Sequence, residues 1–190
     1  MNDQFFEEEQ FENIHFNSGN FNIADYEACS FINCSFSEVK LNGSKFTDCE
    51  FKDCDLSNAK IVQTAFQGCE FFNCKMIGLR FDICESFGFS INAIECVLNH
   101  SSFFQLKMPG TNFCKSTLEN VDFSSALISK AKFFECDLSE AIFDNTNLEN
   151  ADFRKATNYI IDPELNKITG AKFSMPEVTG LLDKYKIIID

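Results

Sequence analysis

Ten cysteines in a chain of 190 residues are the side chains best equipped for chemistry, and their spacing is regular. Cys29 and Cys34, Cys49 and Cys54, and Cys69 and Cys74 make three pairs with four residues inside each, and Cys84, Cys96, Cys114 and Cys136 follow. Paired thiolates can bind zinc, which draws four ligands to about 2.3 Å from one point. In a secreted chain the same number would suggest a disulfide framework. These pairs recur every twenty residues, however, which is the mark of a repeated element rather than of one converging site. The two histidines, His15 and His100, stand far apart, and neither belongs to a Ser-His-Asp or Cys-His order. No glycine-rich phosphate loop is present. Asp48, Glu50, Asp53, Asp55 and Glu70 are the densest carboxylates, and a cation could bridge Glu50 and Glu70, although a solvated face is the plainer account. No catalytic residue, metal or cofactor is expected, and the chain reads as non-enzymatic.

The element that positions all of these is a five-residue beat. A large apolar residue occupies every fifth position from Phe11, Phe16, Phe21, Tyr26 and Phe31 to Phe81, and the beat returns two residues out of phase from Leu98 and Phe103 to Phe153. Two residues before each stands a small one, such as Ala24, Cys29, Cys34, Ser44, Ala126 or Ala131. Small-in, polar-out, large-in is the alternation of a very short strand. The remaining positions, as in Ser57-Asn58 and Gln67-Gly68, are rich in turn formers. At a lag of twenty Phe11, Phe31, Phe51 and Phe71 align, so four fives make one coil, and like residues stack ring on ring. Phe11 to Phe153 is then about seven coils, a rod on the order of 35 Å long at ~4.8 Å per strand spacing. Nine cysteines fall on the small inward position and Cys114 alone on an outward one, so free, metal-free thiols packed as small hydrophobes are expected.

Three segments follow from the beat: an acidic N-terminal cap at 1–10, the repeat at 11–155, and a C-terminal cap at 156–190. Seventeen residues separate Phe81 from Leu98 where strict phase allows fifteen, which places a two-residue break in 82–95, with Gly88 as its permissive backbone. From Ala156 the beat is expected to stop. Ser174-Met175-Pro176-Glu177 reads as a helix start, Leu181, Leu182 and Tyr185 as its apolar face, and Ile187, Ile188 and Ile189 as a strand-like tail. These six apolar residues offer more surface than one coil end covers and form a candidate homodimer interface. The net charge of −13 argues against attraction to nucleic acid or an anionic membrane. With no apolar run of about 18 residues and no basic, apolar leader, a cytoplasmic protein is expected.

Cys54-Asp55-Leu56-Ser57-Asn58, Cys136-Asp137-Leu138-Ser139-Glu140 and Ala151-Asp152-Phe153-Arg154-Lys155 resemble the pentapeptide-repeat family, whose motif is a small residue, Asp or Asn, Leu or Phe, and two variable residues. The resemblance covers roughly residues 6–155 and implies an all-β, right-handed quadrilateral parallel β-helix with a short C-terminal helix cap. Cys in place of the usual Ala departs from the pattern. The order of the C-terminal segment is similar to that of the Qnr-like, gyrase-protecting branch of the family.

Two functions are weighed. In the first, the rod is a protein-interaction scaffold for an unknown partner, using an outward apolar stripe of Ile32, Phe72, Cys114 and Phe134 or an end of the rod. In the second, implied by the resemblance, it mimics DNA and binds DNA gyrase or topoisomerase IV through Asp48, Glu50, Asp53, Asp55 and Glu70. Residues 11–153 hold 20 acidic and 10 basic residues, a net of −10, against roughly 20 phosphate charges on the same length of duplex. The long loops projected by many Qnr-like proteins are missing, so the scaffold is the expected function and the topoisomerase binder the alternative. A basic row, Lys40, Lys60 and Arg80, is accounted for by a solvated face.

Overall fold

The computed structural model describes residues 4–189; residues 1–3 of the acidic start and residue 190 lie outside it. Every twenty residues the chain makes one four-sided coil, and each side contributes one short rung to a parallel ladder. The first face carries β1 (Phe5–Glu7), β3 (Asp25–Glu27), β5 (Lys45–Thr47) and β7 (Ala65–Gln67), paired in that order. The second carries β2 (Gln10–Glu12), β4 (Ser30–Ile32), β6 (Glu50–Lys52), β8 (Cys69–Phe72) and β9 (Ile91–Ile94). On the third face single parallel bridges run from His15 through Ser35, Asp55, Lys75, Val97, Thr117 and Asp137 to Thr157, eight rungs in all. Lys40 and Lys60, then Arg80, Ser102, Asp122 and Ile142, mark the fourth face.

The corners explain how so short a repeat turns. Two residues after nearly every central position the backbone is left-handed: φ is +56° at Asn13, +55° at Asp53, +56° at Asn120 and +59° at Asn150. Asn and Asp adopt this region with little cost, whereas Ala28 (+50°), Lys115 (+58°) and Glu135 (+60°) are held there by the pairing on either side. Gly68 shows why one corner needs glycine, because a Cβ there would run into the Asp48 carboxylate one rung away.

Inside, the rings stack as the twenty-residue lag requires. Centroids of Phe11, Phe31, Phe51 and Phe71 lie 4.9, 4.8 and 4.7 Å apart with near-parallel planes. The inward cysteines do more than fill space. Cys29, Cys34, Cys49, Cys54, Cys69 and Cys74 each donate from Sγ to the carbonyl 23 residues earlier, as Cys54 does to Phe31 at 3.2 Å. Thr64 Oγ1 and Thr146 Oγ1 make the same bond at 2.9 Å. The small position therefore favours a short side chain with a donor, and it ties each coil to the one below.

The phase break is confined to 85–90. Glu85 N–H still donates to the Thr64 carbonyl, 21 residues back, whereas Val97 N–H donates to Cys74, 23 back. Phe81–Ile83 form a 3-10 turn, the first-face ladder ends at β7, and it resumes at Lys107.

Three expectations at the C-terminus are revised. The beat, expected to stop at Ala156, supplies three more rungs: Thr157 bridges Asp137, Lys167 bridges Asn147, Lys172 bridges Asp152, and Phe173 stacks on Phe153 at 5.2 Å. The helix expected from Ser174 is instead two 3-10 turns, Glu177–Leu181 and Asp183–Tyr185. Ser174 Oγ accepts from Lys155 N–H rather than capping, and Thr179 and Gly180 are poor α-helix formers. Gly180 lies so close to the Tyr159 carbonyl that no side chain fits, and its own carbonyl accepts from Ile161 N–H, which docks the cap on the last coil. Ile187, Ile188 and Ile189, read as strand-like, form no strand.

Candidate interaction faces

The second face gathers most of the residues singled out in the sequence. Its outermost column, one position after each central residue, reads Glu12, Ile32, Lys52, Phe72 and Ile94 in direct register, and backbone hydrogen bonds extend it to Cys114 and Phe134. Ile94 is invisible to the five-residue count because it lies between the end of the first phase at Phe81 and the start of the second at Leu98. Its place between Phe72 and Cys114 turns a sparse stripe into four consecutive apolar rungs, Phe72, Ile94, Cys114 and Phe134, all half-buried. Lys155 Nζ sits 4.9 Å from the centre of the Phe134 ring.

Polar columns flank this ridge. On one side Glu50 and Glu70 are register partners, and Asn92 donates to Glu70 at 2.8 Å. On the other, corner side chains pair along the axis: Asn73 to Asp53 at 2.6 Å, Lys115 to Glu95 at 3.0 Å, and Lys155 to Glu135 at 2.9 Å. Glu50, Asp53, Phe72 and Glu95 line one shallow depression of about 540 Å³, with Lys52 and Asn73 completing it. Asp48 occupies the corner before this face, and Asp55 lies on the third face beside the Lys75 rung. The five candidate carboxylates thus sweep around one coil and its neighbour, interrupted by Lys52, Asn73 and Lys75, and make no unbroken acidic face.

The thiols are arranged for packing. Burial pushes Cys49 and Cys136 up to about 12, and all ten cysteines are free. Cys84 is half-buried with its thiol turned inward to the Ile61 carbonyl, and Cys114 is half-buried within the apolar ridge. Among the described residues no group of three or more His, Cys, Asp or Glu is placed to hold a metal ion. His15 and His100 fall on the third face and on a corner with φ of +60°.

Exposed apolar side chains collect elsewhere. Val62, Ile83 and Phe104 lie on the fourth face, and Phe87 projects from the break with 82% exposure. The Phe87 backbone is pinned by Glu85 Oε1, which accepts from its N–H, and by Gln67 Nε2, which donates to its carbonyl. At the C-terminal end Leu182, Ile187 and Ile189 join Ile160 and Met175 around a cavity of about 780 Å³. Ile188 is 90% exposed, Tyr185 Oη donates to Glu164, and Leu181 packs on the core.

The sequence description "Pentapeptide repeats" matches this chain in eight copies, over residues 49–82 and 131–157. Among solved structures a trypsin-treated variant of QnrB1, described as a plasmid-mediated fluoroquinolone resistance protein, superposes with a TM-score of 0.65 at 17% identity, covering 98% of this chain and 100% of that one. Full-length QnrB1 gives 0.58 at 15% identity, covering 97% and 100%. HetL, a pentapeptide-repeat protein involved in heterocyst differentiation regulation in the cyanobacterium Nostoc sp. strain PCC 7120, gives 0.52 at 15%, covering 88% and 84%. A sequence search of curated proteins finds no match. The fold is therefore a four-sided parallel β-solenoid of five-residue repeats, the architecture shared with QnrB1 and HetL. Among the described residues no helix is long and apolar enough to cross a membrane.

Proposed function

We propose that the rod is a non-enzymatic protein-interaction scaffold that engages a protein partner through its second face. The observation that carries this reading is the run of Phe72, Ile94, Cys114 and Phe134 on consecutive rungs. A straight apolar ridge bounded by hydrogen-bonded polar columns has the apolar centre and polar rim of a recognition surface. Ile32 extends the ridge toward the N-terminal end beyond Lys52, and Glu50, Asp53 and Glu70 supply its acidic rim. Affinity capture from a bacterial lysate, with the full chain and with a Phe72→Ser, Phe134→Ser variant as baits, tests this. A protein held by the first bait and lost from the second supports it; identical captures overturn it.

The likeness to QnrB1 over the whole chain supports a second reading, in which the partner is a type II topoisomerase, DNA gyrase or topoisomerase IV, and the rod stands in for duplex DNA. Asp48, Glu50, Asp53, Asp55 and Glu70 would then meet the basic groups that normally hold phosphates, and binding would weaken steeply with salt. Gyrase supercoiling with and without a quinolone, titrated with this protein, decides it: protection that falls when these five become amides supports the reading, and no effect at tens of micromolar removes it. In either reading Leu181, Leu182, Tyr185, Ile187, Ile188 and Ile189 are proposed to pair two copies at the C-terminal end. A chain that stays monomeric in light scattering at high concentration contradicts that pairing.

A further inference from the structure

The fourth face, opposite the apolar ridge, holds a second arrangement that packing does not explain. Lys40 and Lys60 are direct bridge partners, so two ammonium groups extend from neighbouring rungs. Like charges placed opposite one another on adjacent strands repel. Both lysines are exposed, and among the described residues neither has a carboxylate partner, in a chain that carries 29 acidic residues. Arg80 follows in the same row with its side chain 59% exposed. It is tied to Asp82; burial pushes that carboxyl up, and the guanidinium overrides it, holding Asp82 below the usual carboxylate range. Beside this row stand exposed apolar side chains: Val62 at 41%, Ile83 at 37% and Phe104 at 40%. Lys60, Val62, Arg80 and Ile83 line one small depression.

A row of cations, two of them without a carboxylate partner among the described residues, stacked beside exposed apolar groups forms a complementary surface for a ligand carrying the opposite charge and its own apolar side chains. We infer that the fourth face docks an acidic, apolar-rich segment of a protein partner, whose carboxylates meet Lys40, Lys60 and Arg80 while its large side chains cover Val62, Ile83 and Phe104. Charge complementarity selects this occupant. A nucleic acid would offer phosphates to the row, but its whole backbone would be repelled by a chain of net charge −13. A short acidic segment pays that repulsion only locally. The inference concerns a different face from the proposed ridge and stands or falls separately from it.

A random short-peptide library displayed on phage and panned against the full chain tests it. The enriched peptides are expected to combine Asp or Glu with Leu, Ile or Phe. As fluorescein-labelled peptides they should bind Lys60→Glu and Phe104→Ser variants at least about tenfold more weakly. Lys60→Glu relieves a repulsion and Phe104 is surface-exposed, so both should fold, which circular dichroism checks. A Phe72→Ser variant on the opposite face should bind as the unmodified chain does. No enrichment, enriched peptides without acidic residues, or affinity unchanged by Lys60→Glu and Phe104→Ser would each overturn the inference. So would a labelled duplex DNA that binds more tightly than the peptides with the same dependence on Lys60.

Discussion

The coils before the phase break and those after it solve the same packing problem with different cores. Before it, the two ring columns that run unbroken occupy adjacent faces, Phe6, Tyr26, Phe46 and Phe66 on the first and Phe11, Phe31, Phe51 and Phe71 on the second, meeting edge to face at the shared corner, as Phe46 and Phe51 do at 5.5 Å and 70°; Phe16 and Phe36 on the third face and Phe21 on the fourth add rings only in the first coils. After it, the rings occupy opposite faces: Phe113, Phe133, Phe153 and Phe173 on the second, and Phe103, Phe123 and Phe143 on the fourth, meeting across the core, as Phe123 and Phe133 do at 5.6 Å and 82°. Met108, Ile128 and Leu148 then fill the first face, and Leu98, Leu118 and Leu138 the third. The small positions change too, from columns of cysteine to mostly Ala, Ser and Thr. The two extra residues sit where the exchange happens. Phe66 ends the first-face column, Ala93 interrupts the second-face column, Phe81 begins the fourth-face one at 4.7 Å from Phe103, and Phe89 enters the core against Phe81. The break is thus the junction of two cores as well as a corner bulge. In a solenoid held by nearest-neighbour contacts, that junction should be the weakest contact between coils, because the first-face ladder is open there and no bridge joins Lys60 to Arg80 on the fourth.

Alkali should separate the two regions most. A thiol whose pKa is raised on folding stabilises the fold fully below its unfolded value near 8.5, and that stability is lost as pH rises toward the folded value, about 12 for Cys49. Each such thiol contributes a loss of about 1.4 kcal/mol per pH unit in that window. With most cysteines before the break, urea unfolding at pH 10 under reducing conditions should show the first region failing well before the second, and unchanged midpoints between pH 8 and pH 10 would break the comparison. Phe51→Ala and Phe123→Ala should each cost about 3–5 kcal/mol. Met108→Leu, which keeps the aliphatic character of its face, should cost less than about 1.5 kcal/mol, whereas Phe51→Leu, which interrupts a ring ladder, should cost more than Met108→Leu. Equal losses in urea titrations would mean that the ladders add nothing beyond volume. The smallest effect belongs to the surface: Lys155→Ala removes the Glu135 pair and the contact over Phe134 and should change stability by no more than about 1 kcal/mol.

Much of the rod was legible because side-chain size at fixed intervals is a direct statement about inside and outside. The beat located the four-sided coil, the lag of twenty located the ladders, and the step from Phe81 to Leu98 located the break. What escaped depended on three-dimensional register. Ile94 joins the ridge only once Ala93 is known to oppose Phe71, and no count within one phase shows that. The rungs at Lys167 and Lys172 were hidden by Asp162-Pro163-Glu164, which reads as a terminus although the chain re-enters the ladder beyond it. The C-terminal cap carried the marks of an α-helix, yet its close approach to Tyr159 at Gly180 and its Thr-Gly centre give tight i to i+3 bonds instead. The exchange of ring columns was written in the positions of Phe, but only a structure shows which faces are adjacent and which opposed.

The most direct test of the two-core account uses the cysteines that nature has placed on both sides of the junction. Cys49 is buried before the break and Cys136 after it. In pulsed alkylation across a urea series, read by mass spectrometry, a Phe123→Ala variant should expose Cys136 at lower urea than the unmodified chain while Cys49 keeps its original midpoint. If both thiols become reactive together at the lowered midpoint, the rod is one cooperative core and the junction does not divide it.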